Sequence, residues 1–188
     1  MKRLGVFIGT VLVIVVFFLV ASNICCADSF DMEDVRNRVE NRMCDKKTMI
    51  WLKNKINEEP RNAEAHFLLG KCYVYQGRPG RADNRFESAM SSDFATYKDK
   101  IATVYVEEGM KKLRKGGKRT SLNFFDKAKD YDASTKGQIA QKCFKKGREL
   151  LRYGEYSRAD GYFFVAQRYD PTIKRNIGRV YYKKYQDS

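Results

Sequence analysis

Hydrophobic and polar positions divide the chain into two parts with different patterns. Residues 4–21 form an unbroken apolar run without a charge, directly after the basic leader Met1-Lys2-Arg3. From about residue 30 onward, apolar positions instead recur every three or four residues, which predicts amphipathic α-helices. The end of the chain follows this pattern with a stripe formed by Ile173, Ile177, Val180, Tyr181 and Tyr185. We expect an all-helical body of eight or nine helices that ends in an amphipathic capping helix.

The apolar run has the properties of a membrane-targeting segment. Its 18 residues exceed a secretory core of about 7 to 15 and fall just short of a spanning helix of about 20. Residues 1–27 are therefore either a cleaved signal peptide or a retained anchor that contacts the membrane through residues 4–21. Cleavage positions follow Ser22 and Ala27, and Cys25-Cys26 leaves lipidation as a further alternative. The basic leader predicts that the body is exported, either to the periplasm or to the outer side of an inner membrane.

One segment of the body recurs along the chain. Within Ala63–Met90, small and large residues mark fixed places: Leu69, Gly70, Tyr73, Gly77, Ala82, Phe86 and Ala89. A copy over Ala140–Pro171 carries Gly147, Leu150, Gly154, Tyr156, Ala159, Phe163, Ala166 and Pro171. A third copy starts at Ala102 and keeps Tyr105, Gly109, Gly116, Phe125 and Ala128, with Ser121 at an Ala place. Such small residues let helix backbones approach closely, and the aromatic rings fill the space between neighbouring units.

These marks resemble the tetratricopeptide repeat, a family of helix-turn-helix units. The resemblance implies an all-α fold in which antiparallel helix pairs stack as a short right-handed solenoid with a C-terminal capping helix. We assign residues 28–61 to a degenerate N-terminal helix pair, 62–171 to three repeats and 172–188 to the capping helix. The copies begin 39 and 38 residues apart, whereas the family repeat has about 34. We favour a longer first helix in each unit over longer loops as the place of the extra residues.

Charge is concentrated in the second half of the chain. The full sequence has 37 Lys and Arg against 23 Asp and Glu, a net charge of +14. Residues 98–187 contribute +12, with 23 basic and 11 acidic residues, whereas residues 28–93 carry 12 of each. A field of this size attracts anionic partners over long distances and is weakened by salt. A solubilising surface is the alternative interpretation.

Candidate catalytic and metal-binding chemistry is sparse in the sequence. The single His, His66, falls where the repeat carries a bulky packing residue, so we predict a core position for it. The acid pairs Glu58-Glu59 and Glu107-Glu108 are interpreted as solvated surface, because adjacent helical residues do not face one another. HExxH, CxxC and GxSxG motifs are absent from the sequence. We expect no enzyme activity, no cofactor and no metal.

The cysteines of the body are Cys44, Cys72 and Cys143. Three is an odd number and cannot form a complete disulfide framework. We therefore interpret each of them as a small buried apolar residue.

In the family that the chain resembles, the first helices of the repeats line a concave groove that binds partners. By analogy, the groove-facing residues here are Phe67, Lys71, Tyr75, Met110, Arg114, Phe144, Lys145, Arg148 and Arg152. Aromatic residues alternate with cations, which suits a protein or peptide with carboxylates and hydrophobic anchors. The leading hypothesis is a non-catalytic adaptor or assembly factor of the cell envelope.

The alternative hypothesis is that the basic half binds an anionic polymer or a membrane surface. For that function the relevant cations would include Lys183 and Lys184, which the helical stripe places on the polar side of the capping helix. Nucleic acid is a less favoured partner, because the export segment argues against it.

Overall fold

The computed structural model describes residues 30–186. The apolar run, both cleavage positions and Cys25-Cys26 lie outside the described residues. The chain divides into two units, and the division falls between residues 37 and 38. Within residues 30–186 there are nine α-helices and no strand, which confirms the all-α prediction. These are α1 (Met32–Glu40), α2 (Lys46–Glu58), α3 (Ala63–Tyr75), α4 (Pro79–Ser92), α5 (Phe94–Arg114), α6 (Lys118–Tyr131), α7 (Thr135–Arg152), α8 (Tyr156–Tyr169) and α9 (Lys174–Gln186), with a 3-10 turn at Pro171–Ile173.

Three helix pairs make up most of the second unit: pair one (α3 and α4), pair two (α5 and α6) and pair three (α7 and α8). In each pair, a glycine of the first helix lies against a phenylalanine ring of the second. A Cβ atom added to the glycine would lie 2.4 to 2.6 Å from the nearest ring atom, at Gly70 and Phe86, Gly109 and Phe125, and Gly147 and Phe163. This close approach explains why the sequence repeats a glycine and a phenylalanine at a constant spacing.

The turn between the two helices of a pair is also the same in all three pairs. In pair one, the Gly77 amide donates to the Val74 carbonyl (2.9 Å) and the Arg78 amide donates to the Tyr73 carbonyl (2.9 Å). Gly116 and Gly154 occupy the corresponding place, and the three glycines have φ of 73°, 81° and 76°. A glycine adopts this left-handed conformation without the steric penalty of a Cβ atom, so it ends the first helix at a defined residue.

The first helices of pairs two and three contain extra residues. The second helices α4, α6 and α8 all have 14 residues, whereas the first helices α3, α5 and α7 have 13, 21 and 18. Helices α5 and α7 begin several residues before Ala102 and Ala140, where the repeated pattern starts. The prediction of a longer first helix is confirmed for pairs two and three, whereas α3, with 13 residues, is not lengthened.

Polar pairs join one helix pair to the next. The Tyr105 hydroxyl of α5 donates to Asp83 of α4 at 2.6 Å, and Tyr181 of α9 donates to Asp160 of α8 in the corresponding place. Burial, together with the nearby Asp83 carboxylate, raises the pKa of Tyr105 well above its usual range, so the phenol stays protonated and remains a donor. At the junction of pairs two and three, the repeat spacing places Leu122 and Cys143 instead. That junction is therefore apolar at this position.

The capping helix α9 is covered only along part of its predicted stripe. Ile173, directly before the helix, is buried, and Ile177, Val180 and Tyr181 are half-buried. Tyr185 is 74% exposed, so its inclusion in the packed stripe was wrong. The last turn of α9 thus leaves both Tyr182 and Tyr185 exposed.

Candidate binding site

The residues predicted to bind a partner lie on α3, α5 and α7, which are the first helices of the three pairs. The capping helix α9 comes next in the stack. We call the surface formed by these four helices the first-helix face. At pair one, Phe67 is only 9% exposed. Its ring centroid lies 5.9 Å from that of Phe86 and 5.2 Å from that of Tyr97. Phe67 is therefore part of the core between pairs one and two.

A segment of the chain itself, residues 40–44, covers the rest of the face at pair one. Lys71 is 5% exposed, and its ammonium donates to the Glu40 carboxylate at 2.5 Å. The Arg42 guanidinium lies 4.2 Å from the centroid of the Tyr75 ring. Burial raises the pKa of Tyr75 to about 12, and Arg42 partly opposes this rise. Lys71 and Tyr75 thus already have partners within the protein.

Arg42 also pairs with a buried acid on pair two. Its guanidinium donates to Glu108 at 2.6 Å, and the Glu108 side chain is 1% exposed. The ammonium groups of Lys112 and Lys111 lie 3.5 and 4.0 Å from the same carboxylate. The interpretation of Glu108 as solvated surface was wrong, although its neighbour Glu107 is exposed. Glu108 is buried because a cation from a distant part of the chain reaches it.

A disulfide between Cys44 and Cys72 fixes the same segment to α3. The interpretation of Cys44 and Cys72 as unpaired apolar residues was wrong, since an odd number of cysteines still allows one bridge. Their Cα atoms lie 5.3 Å apart, a normal distance for a disulfide. Cys143 is a free, buried thiol, which confirms its predicted role. No pattern in the sequence indicated which two cysteines would pair.

A cleft opens on the first-helix face at pair two, which we call the pair-two cleft. It has a volume of about 550 Å³ and contains the predicted residues Met110 and Arg114. The other lining residues are Arg42, Val106, Glu107, Lys111, Lys115 and Lys142. The Met110 sulfur lies 3.7 Å from the Cys143 sulfur, so Met110 also contacts α7. The cleft combines an apolar floor with five cations and one acid.

A second cleft, the cation cleft, lies between α7 and α9. It has a volume of about 270 Å³ and is lined by Arg148, Leu151, Arg152, Val180, Lys183 and Lys184. Leu151, which is 1% exposed, is the buried apolar part of this lining. Among residues 30–186, no carboxylate forms an ion pair with Arg148 or Arg152. This site therefore concentrates positive charge around a small apolar surface.

The cation cleft brings together residues to which the sequence assigned different roles. Arg148 and Arg152 were predicted to bind a protein, whereas Lys183 and Lys184 were assigned to the alternative anionic surface. All four line one cleft, so substituting one pair or the other does not distinguish the two hypotheses. Phe144 is half-buried, and its ring lies 5.8 Å from the Arg148 guanidinium carbon. Lys145 is exposed and lines none of the clefts described here.

A third and wider cleft of about 820 Å³ lies beside the turn of pair two and the start of α8. It shares Arg114 and Lys115 with the pair-two cleft and adds Lys118 and Arg158. The Lys118 ammonium lies 4.0 Å from the centroid of the half-exposed Phe164 ring. The contact between Lys118 and Phe164 depends on the packing of pairs two and three, so no local pattern of the sequence indicates it.

His66 is buried, as predicted, and is 4% exposed. Its Nε2 atom lies 3.1 Å from the Pro60 carbonyl, while Nδ1 is buried without a hydrogen-bond partner. Burial is the main cause that lowers the pKa of His66, and the bond to Pro60 opposes it. Protonation would place an unpaired charge at Nδ1, so the folded state favours the neutral ring.

This environment predicts a pH dependence of stability. The unfolded chain binds a proton near the ordinary His pKa of about 6.5, whereas the folded chain binds it only at lower pH. We expect the contribution of His66 to the free energy of unfolding to be constant above about pH 7 and to fall as the pH drops below about 6.5. His66→Gln should remove this part of the dependence, as measured by urea unfolding at several pH values between 5 and 8. Identical profiles for both proteins would contradict the assignment.

No protein-family model matches this chain, and no curated protein matches it. Within residues 30–186, no helix is both long enough and apolar enough to cross a membrane. No group of three or more His, Cys, Asp or Glu in this part of the chain could hold a metal ion.

Proposed function

We propose that the protein is a non-catalytic adaptor or assembly factor of the tetratricopeptide-repeat type, and that it binds a segment of another protein along its first-helix face. The observation that carries this proposal is the difference between the two ends of the face. At pair one, residues 40–44 of the chain itself cover the face. At pairs two and three, the corresponding surface has open clefts with cations around apolar side chains.

Two further observations support this proposal. The glycine and phenylalanine contacts and the glycine turns recur in all three helix pairs, as expected for a repeat protein. The Cys44–Cys72 disulfide suits an oxidising compartment, which agrees with export of the body to the cell envelope. Binding would then depend on shape and charge, with Arg residues supplying bidentate hydrogen bonds to carboxylates.

Site-specific crosslinking in the producing cell tests the adaptor function. A photoreactive residue at Arg114, which is exposed in the pair-two cleft, should give one discrete protein adduct. The same residue at Lys136, an exposed position at the start of α7, should give none. The adduct should also disappear when Arg148 and Arg152 are replaced by Glu. If Arg114 gives no protein adduct, or if the adduct forms equally from Lys136, the proposal is wrong.

Binding of an anionic polymer or membrane surface is the second candidate function. The third cleft favours it, because its four cations continue the positive surface from the pair-two cleft around the turn of α5 and α6. Under this alternative, association with anionic vesicles should weaken steeply with salt and should respond equally to charge loss in any of the three clefts.

A further inference from the structure

The protein contains an internal example of how its first-helix face binds a carboxylate. On α3, Lys71 follows Phe67 by one helical turn, and its ammonium lies 5.6 Å from the centroid of the Phe67 ring. On α7, Arg148 follows Phe144 in the same way, at 5.8 Å from the ring centroid. The phenylalanines behind them also match, because Phe67–Phe86 and Phe144–Phe163 have the same centroid distance of 5.9 Å. Pair three therefore repeats the local structure that surrounds Lys71.

At pair one, the cation of this arrangement, Lys71, already binds a carboxylate. Glu40, the last residue of α1, places its carboxylate 2.5 Å from the Lys71 ammonium. Two residues later, Arg42 lies over Tyr75, which is one turn beyond Lys71 on α3. Glu40 and Arg42 are two residues apart, and we call their positions n and n+2. The residues that they contact on α3, Lys71 and Tyr75, are four residues apart.

The counterparts of Lys71 and Tyr75 on α7 are Arg148 and Arg152, and both are exposed. Residues 40–42 contact both positions of α3 from the turn after α1, where Arg42 has φ of 60°. An extended partner segment can reach two such positions as well, because its side chains at n and n+2 project from the same side about 6.5 Å apart. That spacing is close to the rise of about 5.4 Å per helical turn that separates Arg148 from Arg152. Because both counterparts are cations, the matching segment carries an acid at n and a second acid at n+2. At pair two the counterparts are Met110 and Arg114, so only one of the two counterpart positions is a cation.

We infer that the cation cleft binds an acidic segment of a partner protein with the pattern Asp/Glu-x-Asp/Glu, in the way that Glu40 binds Lys71. This inference rests on the proposed adaptor function and names the partner's chemistry. Each acid contacts one Arg of α7, and Lys183 and Lys184 close the cleft from α9. The proposed ligand is an internal segment of the partner's chain, and its side-chain carboxylates make the contacts.

A fluorescent twelve-residue peptide with a central Glu-Ala-Glu, in an otherwise uncharged sequence, tests the inference by anisotropy with the full chain at 150 mM salt. The same peptide with Gln-Ala-Gln should bind at least tenfold more weakly. Replacing Arg148 and Arg152 by Glu should weaken binding of the Glu-Ala-Glu peptide at least tenfold and should favour a Lys-Ala-Lys peptide instead. The matched control replaces the exposed Lys136 and Arg175, outside the cleft, by Glu. This control changes the net charge by the same amount as the Arg148 and Arg152 variant. Because its two residues lie outside the cleft, we expect it to alter the affinity less than twofold.

Three results would overturn the inference: equal binding of the Glu and Gln peptides, an equal loss of affinity in the control variant, or binding of anionic vesicles with no peptide binding. Circular dichroism of both variants confirms that they are folded. If the peptide fails while the Arg114 crosslink to a protein persists, the inference is wrong and the adaptor function stands. If the crosslink fails as well, the adaptor function fails with it.

Discussion

Replacing Cys44 and Cys72 by Ala should lower the free energy of unfolding by about 3.5 kcal/mol. The bridge closes a loop with a sequence separation of 28 residues. In the chain-entropy model, a loop of this length restricts the unfolded state by about that amount at 25 °C. Urea unfolding should show the loss as a lower midpoint.

The control for this prediction is Cys143→Ala, which removes a buried thiol that forms no bridge. Its effect should be clearly smaller than that of the double replacement. Hydrogen exchange should localise the effect as well, because the bridge holds residues 40–44 on α3. Amides near Cys44 should lose protection in the double variant, while those of α7 and α8 keep it. Equal stability of the wild type and the double variant would contradict the role given to the bridge.

Gly109→Ala is expected to destabilise the core of pair two. The added Cβ would lie 2.5 Å from the nearest ring atom of Phe125, and Phe125 is fully buried, so the ring cannot withdraw without moving its neighbours. Overpacking of this kind typically costs about 1 to 3 kcal/mol. The greater helix propensity of Ala opposes the loss by about 0.5 to 1 kcal/mol.

Gly161→Ala is a control with the opposite expected sign. Gly161 lies in the middle of α8, and no atom lies within 4 Å of its added Cβ. The substitution should therefore stabilise the protein by about 0.5 to 1 kcal/mol. Phe125→Leu should recover part of the Gly109→Ala loss, which a double-mutant cycle measures. A stabilising Gly109→Ala would show that the two helices of pair two are not in close contact at this point.

The helix pairs were predictable because their signals are local. Gly109 and Phe125 belong to one pair and are joined by one short turn, so both recur at a constant spacing that marks the repeat. The sequence pattern predicts a ring between neighbouring units, and the structure shows that it also lies against the glycine of its own pair. Ser121 stands where the other two copies have Ala, and a local contact also accommodates this difference. Its buried hydroxyl donates to the Lys118 carbonyl at 2.7 Å, so no polar group is left without a partner.

The occupied part of the first-helix face was not predictable, because it depends on contacts between distant segments. Arg42 and Glu108 are 66 residues apart, and neither carries a pattern that specifies the other. The cation cleft was missed for a related reason. A helical stripe shows which residues of α9 are apolar, but the rotation of α9 against α7 decides whether Lys183 points away from Arg148 or joins it in one cleft.

Cys143 lies in the apolar junction between pairs two and three, so the reactivity of its thiol reports on opening of this junction. Burial raises the pKa of its thiol to about 12, so the thiolate that reacts with alkylating reagents is scarce while the junction stays closed. Alkylation of Cys143, read by mass spectrometry of its peptide, therefore requires α5 and α7 to separate transiently, and its rate rises with the population of the open state. Because Cys143 contacts Met110 of the pair-two cleft, a ligand that bridges the two helices would be visible as a slower reaction at a single sulfur atom.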